Sequence, residues 1–188
     1  MVETTKELKK KKKLWIKIIA PKEYRSKQIG ETIVKEPKLA INRVIETSLA
    51  LLTNDPRKQY VRLFLRINDV KGEQADTEII RYKVLDTHLR RLVKAGKEKI
   101  TDSFKAKTKD KSVVIKLFIL AKSKISNSMC SALRNEARKY FENYLKDKTI
   151  SMFVNDLVNE NVQKMLKVTL KKIYPVGVCE VSTMEILK

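Results

Sequence analysis

The 188-residue sequence has few of the residues that build metal or redox sites. It contains one histidine, His88, and two cysteines, Cys130 and Cys179, which lie 49 residues apart. Zinc sites and redox-active pairs need closely spaced cysteine or histidine ligands, so this distribution argues against both. We expect no metal and no cofactor. The two cysteines are predicted to be small buried apolar residues of a protein from a reducing compartment.

Glycines are equally scarce. The four that are present, Gly30, Gly72, Gly96 and Gly177, are too scattered for a phosphate-binding loop, and the sequence contains no Walker or dinucleotide motif. The acidic residues include no closely spaced pair on a predicted rigid element. His88 at a helix start does not face its acidic neighbours as proton transfer requires, so we expect it at the surface or on a phosphate. The sequence therefore predicts neither an enzyme nor a small-molecule substrate.

Long apolar runs and aromatic residues are also lacking. No stretch approaches the ~18–20 apolar residues that span a bilayer, and the short stretch after the N-terminal lysines contains Lys17. We therefore expect no membrane partner. Aromatic residues make up only 6% of the chain, and no pair of them is placed as in a base-stacking sheet. Trp15 is predicted to lie in the core, with base stacking as the alternative.

The sequence has a large excess of positive charge. It contains 42 lysines and arginines against 22 aspartates and glutamates, a net charge of +20. Such a surplus opposes compaction, and a dense phosphate backbone neutralises it best because each contact releases counterions. Nucleic acid is favoured over an acidic protein, a membrane surface or a merely solvated surface. Recognition is expected to involve mainly phosphate and shape, with little reading of bases.

The charge is concentrated in two places, a lysine tract at residues 9–13 and the segment 81–124, which has 14 basic and four acidic side chains. On a predicted strand, Lys105, Lys107 and Lys109 occupy alternate positions and share one face. On a predicted helix, the side chains of Arg90, Arg91 and Lys94 point outward. These and neighbouring cations are the candidate RNA-binding residues. They are Lys10, Lys11, Lys12, Lys13, Lys17, Arg90, Arg91, Lys94, Lys97, Lys105, Lys107, Lys109, Lys122, Lys124, Arg134 and Arg138.

The hydrophobic pattern predicts an α+β fold with strands first, helices afterwards and one closing strand. Residues 1–13 are predicted to be a flexible basic N-terminal arm, and residues 14–188 a single RNA-binding domain. An antiparallel, barrel-like sheet would carry one short helix and two longer C-terminal helices. Strands are predicted at 14–20, 42–52 (with a helix as the alternative) and 178–187, and two further pairs of strands form hairpins at 59–85 and 99–121. Helices are predicted at 87–95, 126–146 and 149–173. Residues 22–40 are predicted to be a long connection.

Several segments together resemble one protein family. Each is short, but their order and spacing hold over nearly the whole chain. They are residues 15–21, the K-x-I-G-E-T segment at 27–32, residues 43–55, residues 61–72 and the K-I-Y-P segment at 172–175. The sequence thereby resembles the archaeal–eukaryotic small-subunit ribosomal protein family called eS-one, or S-three-A-e.

This resemblance implies a β-barrel-like domain with helices, bound on the platform of the small ribosomal subunit near the messenger exit, and no catalysis. The implied partners are small-subunit ribosomal RNA and neighbouring ribosomal proteins, with messenger RNA near the exit as a further candidate, in the cytoplasmic ribosome. Three places depart from the family pattern. Leu51 replaces an aspartate, Arg81-Tyr82 replace a Gly-His pair, and Gly177-Val178 replace basic residues, so the resemblance assigns these positions no contacts.

The sequence therefore predicts a structural constituent of the small ribosomal subunit. A free-standing nucleic-acid-compacting protein is the alternative, and it would bind duplex DNA and ribosomal RNA comparably. An RNA-processing enzyme is a third hypothesis, and the lack of a catalytic constellation argues against it.

Overall fold

The computed structural model describes residues 13–24 and 26–187. Within them, eight strands and five α-helices alternate along the chain. Short 3₁₀ turns occur at Lys22–Tyr24, Pro37–Ala40 and Pro56–Lys58. The elements are β1 (Leu14–Ile19), β2 (Gln28–Val34), β3 (Val44–Ser48), α1 (Leu49–Thr53), β4 (Val61–Lys71), β5 (Gln74–Val84), α2 (Asp86–Leu92), β6 (Lys99–Lys107), β7 (Ser112–Ala121), α3 (Asn127–Leu145), α4 (Ile150–Val158), α5 (Asn161–Lys171) and β8 (Val176–Ile186).

The chain divides into two compact units. Unit 1 consists of the described residues up to Ile45 together with Leu65–Glu78. Unit 2 consists of Glu46–Phe64 and the described residues from Ile79 onward. The long strands β4 and β5 each contribute residues to both units. The prediction that residues 14–188 act as one RNA-binding domain stays a prediction.

In unit 1, β1 lies between β2 and β5. It is antiparallel to β2 and parallel to β5. Alternation along β1 directs Ile16 and Ile18 into a core that they share with Val34 and Ile67. Trp15 and Lys17 consequently lie on the opposite face of the strand.

In unit 2, β7 is the central strand of a ladder in which β8 and β6 flank it antiparallel. β8 also pairs with β5. α3 packs on β6 and α5 packs on β8. The buried side chains of α3 recur every three or four residues, as in Leu133, Ala137 and Phe141, so one helical stripe covers the sheet. Ser126 caps this helix by accepting a hydrogen bond from the Met129 amide at 3.5 Å.

α2 covers the other face of the unit 2 sheet at one end. Phe118 and Thr101 are cross-strand partners, so they share a face, whereas their chain neighbours Leu117 and Asp102 face α3. Leu89 of α2 lines a depression together with Phe118 and Thr101. We call the face that carries Thr101 and Phe118 the open face.

The predicted α+β class and mostly antiparallel sheet are confirmed, but the sheet of the described strands does not close into a barrel. The prediction of a long connection over residues 22–40 is wrong, since it contains β2. β2 lies at the end of the strand order and is largely exposed, which leaves it without the strong apolar alternation of a core strand.

Two further element predictions need correction. Over residues 42–52, where a strand was predicted, the chain forms β3 and then, without a connecting loop, α1. The predicted strand and the alternative helix are therefore each correct for about half of this segment. The predicted helix over residues 149–173 is two helices, because Glu160 has a left-handed backbone with φ of 59°. The apolar periodicity continues across this break, which makes it invisible to pattern analysis.

No helix of the part described is both long and apolar enough to cross a bilayer.

Candidate nucleic-acid interface

The open face carries the lysines of β6. Lys105 and Lys107 are exposed, and Ala106 between them is buried. The predicted alternation is therefore confirmed for these two lysines. Lys109 departs from the prediction, since it follows the end of β6 and lies in the turn before β7, where its amide donates a 3.2 Å hydrogen bond to the Lys148 carbonyl.

Strand register places two more lysines on the open face. Ser103 pairs with Lys116, Lys116 with Thr183, and Thr183 with Lys83. Directly paired residues on adjacent strands share a face, so these four side chains form one row across β6, β7, β8 and β5. The row contains two cations, two hydroxyls and no carboxylate.

A second, adjacent row runs through Lys105, Val114, Glu185 and Arg81. Arg81 forms an ion pair with Glu185, and its guanidinium carbon lies 5.4 Å from the centre of the Phe64 ring. The single carboxylate of this row is therefore engaged by Arg81.

The exposed lysines Lys105, Lys107 and Lys116 have no carboxylate partner within residues 13–24 and 26–187. Sequence reasoning missed Lys116. Its signal was a single charged residue within the apolar run of β7, because a lysine in a central strand points to an exposed sheet face.

Cations of α2 border the same face. A depression of about 260 Å³ lies between α2 and the sheet, and Arg90 and Lys99 line it. The ammonium nitrogen of Lys99 lies 6.0 Å from the centre of the Phe118 ring. Arg91 is exposed on this short helix, as predicted, whereas Lys94 is exposed just after it, because the helix ends at Leu92 and does not reach residue 95.

His88 of α2 has a packing role. Its ring stacks on Tyr60 with centroids 4.0 Å apart and planes 10° from parallel. Burial and the nearby Arg91 lower the pKa of His88, so the ring is held neutral near pH 7. The Tyr60 hydroxyl donates a 3.3 Å hydrogen bond to Glu160.

The two arginines of α3 are engaged within unit 2. Arg138 donates two hydrogen bonds of 2.7 Å to Asp102, and Arg134 donates one of 3.3 Å to the Thr101 carbonyl. Asp102 faces α3, away from the open face. The structure therefore does not bring Arg134 and Arg138 together with the lysines of the open face.

The remaining candidates lie elsewhere. Lys97, which follows α2, is half-buried. Lys122 and Lys124 are exposed after the end of β7. In unit 1, Lys13 and Lys17 are exposed on either side of Trp15. The candidates Lys10, Lys11 and Lys12 lie outside the described residues.

The position of Trp15 also differs from the prediction. The prediction that it belongs to the core is wrong, since 59% of it is exposed.

Cys130 and Cys179 are buried and free, as predicted. No cluster of three or more metal-ligating side chains occurs in the described parts of the chain.

Comparison with known families identifies the relatives of this chain. A sequence model of the ribosomal S3Ae family matches residues 3–188. The chain belongs to the ribosomal S3Ae family. Membership in a ribosomal protein family confirms the predicted resemblance and the prediction that the chain is not an enzyme.

Curated S3Ae relatives come from several archaea, and each is named small ribosomal subunit protein eS1. That of Nanoarchaeum equitans is 32% identical over 166 residues, which cover 88% of this chain and 84% of the relative. That of Staphylothermus marinus is 30% identical over 182 residues, with 94% and 84% covered. That of Picrophilus torridus is 28% identical over 178 residues, with 94% and 85% covered.

The positions that the resemblance predicts to depart from the family pattern have distinct surroundings. Leu51 on α1 is 61% exposed. Arg81 pairs with Glu185, as described, whereas its neighbour Tyr82 is buried in the core. Gly177 lies in β8, where an added Cβ would sit 3.4 Å from the Leu120 carbonyl oxygen. At Arg81 and Tyr82, the side chains present serve the fold of unit 2.

Proposed function

We propose that this protein is a structural constituent of the small subunit of the cytoplasmic ribosome. It binds small-subunit ribosomal RNA mainly through phosphate and shape contacts and supports translation. Residues 14–188 act as one RNA-binding domain. Two independent findings support this proposal, namely the family membership with relatives named small ribosomal subunit proteins and the lysine-rich open face of unit 2.

The observation that carries the proposal is the row formed by Ser103, Lys116, Thr183 and Lys83, with Lys105 and Lys107 beside it. Lys105, Lys107 and Lys116 have no carboxylate partner among the described residues and keep their full charge for phosphates, whereas Lys83 forms a 3.4 Å ion pair with Asp86. Each phosphate contact releases counterions. Hydroxyls between the lysines add hydrogen-bond donors for phosphate oxygens. Phe118 on this face is buried, and the half-buried ring of Phe64 lies 5.4 Å from the Arg81 guanidinium, so neither ring is freely exposed for base stacking.

Finer aspects of the proposal follow from the family resemblance. The protein lies on the platform near the messenger exit, where it contacts neighbouring small-subunit proteins. Messenger RNA near the exit is a further candidate partner. Lys10, Lys11 and Lys12 contact phosphates together with Lys13 because the tract concentrates charge at one end of the chain.

Co-sedimentation tests the proposal. The tagged full-length chain is produced in an archaeal host, and the lysate is separated on a sucrose gradient at physiological salt. We expect the chain in the small-subunit peak and in whole ribosomes. Absence from both would overturn the proposal. Comparable binding of the purified chain to duplex DNA and ribosomal RNA would favour the free-standing compacting protein instead.

A matched pair of variants tests the open face. Replacing Lys105, Lys107 and Lys116 with glutamine removes three charges from the face and should reduce incorporation into small subunits. The control replaces three exposed lysines on the helices or at a helix end with glutamine, and it should incorporate normally. Its positions are Lys139, Lys146 and Lys164. Equal incorporation of both variants would exclude the open face from the interface.

A further inference from the structure

Trp15 is the only tryptophan of the chain, and it lies on the surface of unit 1. Its position follows from the alternation of β1, which directs Ile16 and Ile18 into the core and Trp15 to the other side. Across the ladder it pairs with Ile33 of β2, which is 41% exposed. A large ring and a neighbouring aliphatic side chain therefore form an exposed apolar platform.

The platform borders a shallow depression of about 240 Å³. Pockets that hold drug-sized ligands have volumes of ~300–1,000 Å³, so this one has room for a smaller planar group. Its charged lining residues are Lys13, Lys17, Glu31 and Glu73. Aromatic surface and both signs of charge thus meet at one place.

The flanking lysines indicate the kind of ligand. Lys13 and Lys17 lie two residues before and after Trp15, and the sequence immediately preceding Lys13 continues as Lys9 to Lys12. A polyanion matches this charge, and indole rings bind unpaired bases by stacking on their π faces. Bases within a duplex are already stacked and do not present that face. An unpaired nucleotide of RNA therefore fits better than a duplex.

The two carboxylates add a constraint on the base. Glu31 and Glu73 repel phosphate, but they accept hydrogen bonds from the amino group of a base, as carboxylates do from the N4 amino group of cytosine. Glu31 lies opposite Lys17 across the ladder, two pairs along from Trp15 and Ile33 and on the same face of the sheet. Glu31 already accepts a 3.2 Å hydrogen bond from the Gln28 side chain, and its other oxygen and Glu73 remain as acceptors for an amino group of a base, whereas uracil presents a carbonyl oxygen at the equivalent position.

We propose that the depression at Trp15 binds one unpaired RNA base that carries an exocyclic amino group, stacked on the indole, with Lys13 and Lys17 on the adjoining phosphates. This inference rests on the proposed RNA-binding function and goes beyond it. It adds a stacking site in unit 1 to an interface that otherwise recognises phosphate and shape.

Tryptophan fluorescence tests the inference directly, because Trp15 is the only tryptophan of the chain and excitation at the red edge of the indole band avoids its six tyrosines. The chain is titrated with single-stranded oligo(C), oligo(U) of equal length, and an RNA duplex of equal charge. A filter-binding assay measures affinity in parallel. We expect oligo(C) to quench the emission and to bind at least about fivefold more tightly than oligo(U). The duplex should bind without quenching.

Variants separate stacking from charge. Trp15→Ala should weaken oligo(C) binding about 5- to 150-fold, and Trp15→Phe should restore part of the loss. The control is Leu39→Ala, which removes another exposed apolar side chain of unit 1 and should change affinity less than about twofold. Circular dichroism verifies that each variant is folded.

Several results would overturn the inference. If oligo(C) bound with unchanged emission and Trp15→Ala kept full affinity, base stacking would be excluded while the proposed RNA binding would stand. Equal affinity for oligo(C) and oligo(U) would exclude the role of Glu31 and Glu73. A third result would be that no oligoribonucleotide changes the Trp15 emission, while Trp15 in intact small subunits is protected from quenching by acrylamide. A protein neighbour would then occupy the site. Failure to bind any RNA would overturn both this inference and the proposed function.

Discussion

Arg138 on α3 donates two hydrogen bonds, each of 2.7 Å, to the carboxylate of Asp102 on β6. The Asp102 side chain is only 7% exposed, so this bidentate pair satisfies a carboxylate that is nearly buried. Arg134, one helical turn earlier, donates to the Thr101 carbonyl beside it. The two arginines thus fasten α3 to the sheet of unit 2, although their charge and spacing had suggested RNA contacts.

The Arg138–Asp102 pair should make the stability of the protein depend on pH in the acid range. Hydrogen bonds from Arg138 hold the pKa of Asp102 below its ordinary value of 3.8. A lowered folded-state pKa stabilises the protein above about pH 4 and loses this effect as the pH falls through the folded value. Arg138→Gln should therefore lower the Tm at pH 6 and differ less from the parent protein at pH 3.

Arg134→Gln is the matched control for that measurement. It removes a charge from the same helix, but its partner is a carbonyl that does not titrate. The charge of Arg134 also lowers the pKa of Asp102, but less than the hydrogen bonds from Arg138 do. We therefore expect the effect of Arg134→Gln on Tm to change less between pH 3 and pH 6 than that of Arg138→Gln. A constant difference between Arg138→Gln and the parent across this range would contradict the assignment.

Glu180 should destabilise the protein at alkaline pH. Burial raises the pKa of Glu180 to about 7, with repulsion from Glu160 adding to the rise and Lys167 opposing it. Because the folded-state pKa lies above the ordinary value of 4.5, the penalty appears as the pH rises from about 4.5 and is complete above about 7. Glu180→Gln should therefore raise the free energy of unfolding at pH 8 by roughly 2–3 kcal/mol.

Chemical denaturation at two pH values checks this expectation. At pH 4 the carboxyl group is mostly protonated in both states, so Glu180→Gln and the parent should have nearly equal stability. Glu142→Gln removes the same charge from an exposed position of α3 and serves as the control. Stabilisation by Glu180→Gln that is equal at pH 4 and pH 8 would show that charge burial is not its cause.

The cations on α2 and just after it should contribute to the salt dependence of RNA binding. Replacing Arg90, Arg91 and Lys94 together with glutamine should weaken binding to small-subunit ribosomal RNA. The slope of log K against log salt should flatten by about two to three units if each side chain contacts one phosphate. Filter binding at several salt concentrations measures the slope, and an unchanged slope would remove α2 from the interface.

The two cysteines should be chemically silent in the folded protein. Both are buried, and burial raises the pKa of the Cys179 thiol to about 12, so almost no thiolate forms at pH 8. An aromatic disulfide reagent such as DTNB should label no thiol in the native state and two in guanidinium chloride. Rapid labelling of the native chain would contradict the burial of Cys130 on α3 or of Cys179 on β8.

Most strands and helices of unit 2 were predictable from the sequence because they carry strong local signals. The hairpin of β6 and β7 has alternating residues around a charged turn, and α3 has a regular apolar stripe. β2 lacked such a signal because it is a largely exposed strand. The helix break at Glu160 was hidden because the apolar residues keep the same spacing on both sides of it.

The candidate interface was only partly accessible from sequence. Alternation predicted that Lys105 and Lys107 share a face. Lys83 and Lys116 are far from each other in the chain, and only the register of β5, β8 and β7 brings them into one row. The roles of Arg134 and Arg138 were equally hidden, since spacing along α3 does not reveal the partner on β6.

The sequence by itself determined the excess of positive charge, the absence of a catalytic constellation, the α+β class and the resemblance to a ribosomal family, because these depend on composition and on order along the chain. Only the tertiary structure decided which cations are free, which are tied to carboxylates, and that Trp15 faces outward. These depend on strand register and on which sheet face a helix covers, and both are set by contacts between residues that are distant in sequence.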